Sequence, residues 1–339
     1  MIDTYPDCDM RRTDETYMRR CIQLARNGQK NAQPNPMVGA VVVHRGRIIG
    51  EGYHIRCGEG HAEVNALASI KPEDEYLLPE STIYVSLEPC AHYGKTPPCA
   101  DLIVSKKLKR CVVGCIDPFA KVHGLGIQKL RNAGIEVTVG VLEEECRQLN
   151  QRFMTFHTLH RPFITLKWAQ TSDGYIGYAT QTPERPLRIS NEQTRIICHK
   201  RRAEHQAILI GHHTETTDNP GLNVRDWYGD NPKRIILSRQ NGPLPRQIQQ
   251  MWENGIQSLL IEGGSETLQA FIDAGLWDVT YVETGTQTLS QLLSAYSDPH
   301  TSEQPQGIHS PHLEHACLTQ SELIDGHLLQ TFRPSTHES

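Results

Sequence analysis

The chain has 339 residues, enough for two hydrophobic cores, with a formal net charge of −5 and 37% hydrophobic residues. Basic and acidic residues balance over positions 1–150 and acidic ones lead over 151–339, so neither half has the basic excess that DNA or tRNA binding requires. No apolar run approaches the roughly 18–20 residues that cross a bilayer, the cysteines are too scattered for a disulfide-stapled domain, and residues 1–12 are polar and acidic with no secretory leader. A cytoplasmic protein acting on a small molecule, with no nucleic-acid or membrane partner, is expected.

Positions 14–27 set Tyr17, Cys21, Leu24 and Ala25 on one helical stripe, which Gly28 ends. Pro34-Asn35-Pro36 is a stiff turn into a strand over 38–43, and His44-Arg45-Gly46 returns the chain through 47–50 as an antiparallel hairpin. Asn35 reads equally as turn chemistry or as a substrate-facing amide. A helix over 61–70 opens with His61-Ala62-Glu63. A β-branched strand over 82–86 delivers Glu88-Pro89-Cys90, and a helix over 99–105 starts at Cys99. Strands over 111–114 and 135–139 flank a helix introduced by Asp117-Pro118 and residues 122–126. Strands separated by helices imply a three-layer α/β sandwich. A helix over 143–153, acidic in its first turn, closes a first domain at 1–150. Residues 151–161 are expected as a linker, and 162–339 as a second domain.

One imidazole (His61) and two thiols (Cys90, Cys99) supply three corners of a tetrahedral zinc site and leave the fourth for water, whose proton the metal makes labile near neutral pH. Glu63, two residues from His61, is placed to move protons rather than to bind. His-x-Glu followed by Pro-Cys and a second cysteine is the signature of zinc deaminases of nucleobases and related rings. A structural zinc knot would carry four protein ligands and leave Glu63 without a task. Base deaminases usually space the cysteines two residues apart. Here residues 91–98 intervene, among them Lys95, a natural partner for an anionic group.

The run Pro89-Cys90-Ala91-His92-Tyr93-Gly94-Lys95-Thr96-Pro97-Pro98-Cys99 resembles the zinc loop of the bifunctional deaminase–reductases of riboflavin biosynthesis, and the resemblance extends over the first domain. It implies a cytidine-deaminase-like fold, one zinc ion, and hydrolytic deamination at the amino-bearing carbon of a diaminopyrimidinone ribose phosphate. It also implies that Glu63 carries the protons and that Asn35, Lys95 and Asp117 hold the substrate. Phe119 stands where many relatives have an asparagine.

Past 162 a second α/β pattern runs: strand 163–169, helix 191–202, strands 207–210 and 234–237, helix 245–254 and strand 258–261. Glu262-Gly263-Gly264-Ser265 then opens a helix reaching 274. Glycines between a strand and a helix serve either as a phosphate cradle or as a close-packing device. Lys167, Asp173-Gly174, Thr214, Asp218-Asn219-Pro220, Leu222, Arg225 and Glu262-Gly263-Gly264 resemble the reductase half of the same family. That resemblance implies a dihydrofolate-reductase-like domain using NADPH to reduce the ribosyl group to ribityl. Thr214, Asp218 and Gly264 would contact NADPH. Lys167, Leu222, Arg225 and Glu262 would hold the substrate, with Arg225 on its phosphate, although the residues from Asp218 to Gly221 also make a plain turn. Pro186 and Arg188 replace a serine and a tryptophan of relatives.

The segment between 237 and 245 is clearly shorter than in relatives. The second domain is therefore expected to be shortened, to fold, and to bind NADPH weakly or not at all. Residues 290–339 show little periodicity beyond a strand over 328–332, and histidines 309, 312, 315, 327 and 337 lack ligand spacing and are expected on the surface. The rival readings are a deaminase with an impaired reductase domain, a tRNA or nucleoside deaminase, which the charge balance disfavours, and a zinc-knuckle binding protein. A homo-oligomer is compatible with the sequence, which does not specify one.

Overall fold

The computed structural model describes residues 8–93, 97–119, 122–182, 185–294 and 305–335, in two compact units, Met1–His160 and Arg161–Ser339. In the first unit helix α1 (Cys8–Arg26) precedes the hairpin β1 (Gly39–His44) and β2 (Arg47–Tyr53). Then follow α2 (Ala62–Ala68), β3 (Thr82–Leu87), α3 (Cys99–Ser105), β4 (Arg110–Cys115), α4 (Leu125–Asn132), β5 (Glu136–Val139), α5 (Glu143–Leu149) and α6 (Gln151–Thr158). The sheet order is β2-β1-β3-β4-β5, antiparallel across β2, β1 and β3 and parallel from β3 to β5.

Alternation along the strands sends successive side chains to opposite faces. Ala40, Val42, Ile83, Val85, Cys111 and Val113 pack with Ala62, Ala66, Ile103 and Leu130 from α2, α3 and α4. Val41, Val43, Tyr84 and Val112 pack with Met18, Cys21 and Ile22 of α1, Cys146 of α5 and Met154 of α6. The expected three-layer sandwich is what forms.

One helix predicted over 143–153 is two, broken at Asn150. Its amide grips the loop before β1, accepting from the Met37 N–H and donating to the Met37 carbonyl, both at 2.8 Å. That grip leaves Asn150 at φ −109°, ψ 23°, outside helical geometry. The stretch expected as a linker is therefore largely α6, anchored by buried Phe153 and Met154.

The second unit contains β6 (Phe163–Gln170), β7 (Tyr175–Tyr178), α7 (Glu192–Ala203), β8 (Ala207–Gly211), α8 (His212–Asp218), β9 (Lys233–Leu237), α9 (Leu244–Glu253), β10 (Ser258–Ile261) and α10 (Ser265–Asp273). They are followed by β11 (Val279–Thr284), α11 (Leu289–Ser294), β12 (Gly307–His309), β13 (Ala316–Ile324) and β14 (His327–Pro334). Seven strands are ordered β13-β14-β11-β6-β10-β8-β9, and β12 pairs separately with β7. Ile164, Leu166, Leu209, Leu259 and Ile261 face α9 and α10, burying Ile248, Met251, Leu268 and Phe271. The other face carries Thr165, Lys167, Tyr281 and Glu283 beside α7.

The shortened segment becomes a single 3-10 turn, Arg239–Asn241, between β9 at the sheet edge and α9. β9 pairs in parallel with β8 and forms that edge of the sheet. The region after 290 holds more structure than its sequence announces. The edge strand β13 is exposed along most of its length, so it needs no alternation of apolar and polar residues. His327 is a correction: it is 6% exposed, hydrogen bonded to Glu283, and not on the surface. His309, His312 and His315 are exposed, and His337 lies outside the described residues. Among the described residues no helix is long and apolar enough to cross a membrane.

Candidate active sites

In the first unit three segments converge. His61 is the N-cap of α2, Cys99 opens α3, and Cys90 follows the turn after β3. The Nδ1 of His61 lies 3.6 Å from the Cys90 Sγ and 3.4 Å from the Cys99 Sγ, and all three ligand atoms lie within 4.8 Å of one another. Zinc bonds of ordinary length at a tetrahedral angle place a nitrogen and a sulfur about 3.5 Å apart, so the triangle fits that ion.

The Cys99 backbone N–H donates to the Cys90 Sγ at 3.3 Å, using the N-terminus of α3 to favour a thiolate. The Cys90 thiol is held down, to about 4, first by the hydrogen bond from the Cys99 thiol and then by His61. The Cys99 thiol is pushed up by the same shared proton. Glu63, in the first turn of α2, is 3% exposed, and burial raises its carboxyl to about 7 against the lowering effect of His61.

Two groups that sequence reading missed hold this arrangement. Glu88 is buried at the root of the zinc loop, and its carboxylate accepts from the N–H groups of Gly124 and Gly126 at 2.9 Å and of Ile127 at 3.3 Å. It thereby caps α4 and ties that helix to Pro89-Cys90. A Cβ on Gly126 would lie 1.9 Å from the Pro89 carbonyl oxygen, so only glycine lets the two segments meet. His54, 2% exposed, meets the His61 ring edge-on at 5.3 Å. Its Nδ1 lies 3.1 Å from the Gly60 carbonyl oxygen and its Nε2 lies 3.1 Å from Asn35 Nδ2. Nδ1 must therefore donate and Nε2 accept, which leaves the Asn35 carbonyl oxygen available. Neither residue belongs to a local motif; both are found by contact alone.

Asp117 is nearly buried, and desolvation lifts its carboxyl to about 6 although the Phe119 N–H donates to Oδ1 at 2.8 Å. Phe119, in the asparagine's place, packs edge-on to His92 and His157. Lys95 lies outside the described residues.

The second unit encloses a cavity of about 870 Å3, lined by Lys167, Thr214, Asp218, Glu262 and Gly264 among others. Glu262 takes two hydrogen bonds from Arg202, at 2.6 and 3.0 Å. Burial pushes its carboxyl up, but Arg202 and Lys167 outweigh that and hold it below the usual range. Lys167 is raised on balance: Cys198, Glu262 and Glu283 overcome its desolvation. Gly264 has φ +67°, and a Cβ there would lie 2.8 Å from the Thr214 hydroxyl. A Cβ on Gly263 would meet Ile210 at 2.7 Å. The glycine pair thus serves close packing, and both glycines also line the cavity at the start of α10.

Leu222 and Arg225 are not among the cavity-lining residues. Leu222 packs with Ile208, Ile210 and Leu260 in the core, because its apolar side chain gains more there than at a wet rim. Arg225 is exposed, with its guanidinium on Asn223 and near Asp226.

Residues 11–115 match the model of the cytidine and deoxycytidylate deaminase zinc-binding region, and residues 162–249 match the RibD C-terminal domain. Riboflavin biosynthesis protein RibD of Aquifex aeolicus is 37% identical over 328 residues, covering 84% of this chain and 90% of that protein. The RibD of Bacillus amyloliquefaciens is 35% identical over 312 residues, 78% of this chain and 82% of its own length. The crystal structure of a diaminohydroxyphosphoribosylaminopyrimidine deaminase/5-amino-6-(5-phosphoribosylamino)uracil reductase from Thermotoga maritima superposes with a TM-score of 0.80 at 34% identity, covering 96% of this chain and 99% of that one.

Proposed function

Because the chain belongs to the RibD family of bifunctional riboflavin-biosynthesis enzymes, we infer that its first unit deaminates a diaminopyrimidinone ribose phosphate and its second reduces the ribosyl group of the product to ribityl. The observation that carries the first step is the His61–Cys90–Cys99 triangle with a buried carboxylate, Glu63, in the same helical turn as His61. Zinc held there supplies the Lewis acidity that makes water a nucleophile near neutral pH. Glu63 takes one proton of the attacking water and gives it to the ring nitrogen, then takes the second from the new hydroxyl and gives it to the amine, which departs as ammonia. A buried carboxyl poised near neutrality suits both halves of that transfer. Asn35, its amide nitrogen engaged by His54, presents its carbonyl oxygen to the pyrimidine. Asp117 and Lys95 complete the ribose phosphate contacts.

The second step uses the cavity around Lys167 and Glu262. NADPH supplies the hydride to the carbon that becomes the ribityl C1, and the protein supplies position and charge. Thr214, Asp218 and Gly264 hold the nucleotide, whereas Lys167 and the Glu262–Arg202 pair hold the ribotide. Leu222 contributes as core packing with Ile208, Ile210 and Leu260. Arg225 reaches a substrate phosphate only by leaving its contacts with Asn223 and Asp226. Ser238, Arg239 and Gln240 of this connection line the cavity; the shortening read from the sequence is what sets the expectation of weakened NADPH binding. The protein is read as a cytoplasmic enzyme acting on a small molecule, with a homo-oligomer open.

Product analysis with the diaminopyrimidine ribotide, with and without NADPH, tests both steps. Ammonia release without NADPH, and ribityl product only with it, is the expected result. Absence of ammonia in zinc-loaded protein would overturn the deaminase reading. Absence of NADPH oxidation with the deaminated ribotide would reduce the enzyme to a deaminase.

A further inference from the structure

One wall of the second cavity is formed by Ile189 and Ser190, and this wall is tied from behind to a carboxylate outside the cavity lining. Glu283, on β11, is 4% exposed. Its Oε2 accepts from the Ser190 hydroxyl at 2.7 Å. Its Oε1 accepts from the Thr194 hydroxyl at 2.7 Å and from His327 Nδ1 at 2.8 Å. Ser190 belongs to the wall, Thr194 to the first turn of α7, and His327 to the start of β14. A second tie runs parallel to the first. The Asn191 carboxamide oxygen accepts from the Thr194 N–H at 2.9 Å, and its nitrogen donates to the Asp325 carbonyl at 3.3 Å. A Cβ on Gly285 would lie 3.0 Å from Ile189 Cγ2 and 3.6 Å from His327 Cε1, so strand end, wall and turn press together.

The same carboxylate acts on the cavity's lysine. In the parallel register of β6 and β11, Lys167 stands beside Tyr281, and Glu283 two residues on shares its face of the sheet. Glu262, just past the end of β10, takes two hydrogen bonds from Arg202 and also favours the charged lysine, whereas Glu283 is met by two hydroxyls and an imidazole. Burying a carboxylate is costly unless its hydrogen bonding is met; here two hydroxyls and an imidazole meet it, and its negative charge on the shared sheet face favours the charged form of the lysine.

We propose that Glu283 is a positioning residue for the reduction: through Ser190 it fixes the cavity wall, and through its charge it fixes the Lys167 ammonium at the cavity surface. His327 links the turn between β13 and β14 to that task. This rests on the reading that the cavity is where the ribosyl group is reduced.

The test uses the full-length enzyme with the deaminated ribotide. Glu283→Gln keeps the size and the acceptor towards Thr194 and His327 but removes the charge. Its kcat for NADPH-dependent reduction should fall by about tenfold to a hundredfold, the cost of a misplaced reacting group. The KM for NADPH, the rate of ammonia release and the unfolding midpoint should stay near wild type. Glu283→Asp, which keeps the charge but shortens the reach, should recover part of the lost kcat. Wild-type kcat in Glu283→Gln would overturn the proposal, as would equal losses in both variants that merely follow their folded fraction. If the wild-type enzyme itself neither binds nor oxidises NADPH, the reductase reading falls and this role falls with it. Unimpaired wild-type reduction that Glu283→Gln leaves unchanged removes this role alone.

Discussion

Replacing Cys90 or Cys99 by serine keeps the volume but gives up a thiolate whose sulfur stands within 3.6 Å of the His61 Nδ1. Either variant should lose zinc, read by metal analysis, together with ammonia release. Glu63→Gln should behave differently, because it leaves every zinc ligand in place. It should keep stoichiometric zinc and lose at least about a hundredfold in deamination; near-normal turnover would remove Glu63 from the proton path. These residues were legible in the sequence because zinc chemistry restricts ligand types and because helix starts fix their spacing. Glu88 and His54 were not. Their partners, Gly124–Ile127 and Asn35, are brought to them only by folding, and a lone Glu or His carries no local signature.

At the scale of elements, the zinc loop depends on a helix that contributes no ligand. Glu88 takes N–H groups from the start of α4, and Gly126 lets that helix touch the Pro89 carbonyl. Gly126→Ala forces a Cβ into that oxygen and should cost about 1–3 kcal/mol. It should also weaken zinc retention, because Cys90 moves with Pro89. Denaturant unfolding together with zinc affinity checks this, and a stable variant with unaltered zinc affinity would refute the coupling. Strands with one or two buried faces, such as β3 and β10, were read from their apolar runs to within about a residue. Other features escaped, and for three of them the physical reason is plain. The α8 sequence His-His-Thr-Glu-Thr-Thr-Asp has no apolar stripe and buries no residue. The edge strand β13 has no face to bury over most of its length. The break between α5 and α6 comes from Asn150 gripping Met37, a partner more than a hundred positions away.

Across the whole molecule, each unit has its own core, and each proposed cofactor would bind only one of them. Linkage then requires a ligand to stabilise the unit that binds it. Calorimetry of the intact chain should show chelation lowering one unfolding transition and NADPH raising the other. A single transition that shifts with both would mean the units unfold together. A further consequence concerns time. All the elements of the first unit lie before residue 160, whereas β14 sits between β13 and β11 and supplies His327 to Glu283. At translation rates of about 5–20 residues per second, β14 leaves the ribosome roughly ten seconds or more after the first unit is complete. A nascent chain can therefore hold a finished deaminase while its reductase sheet still lacks an interior strand. The enzyme that acts first in the reaction sequence is also the one that is made first.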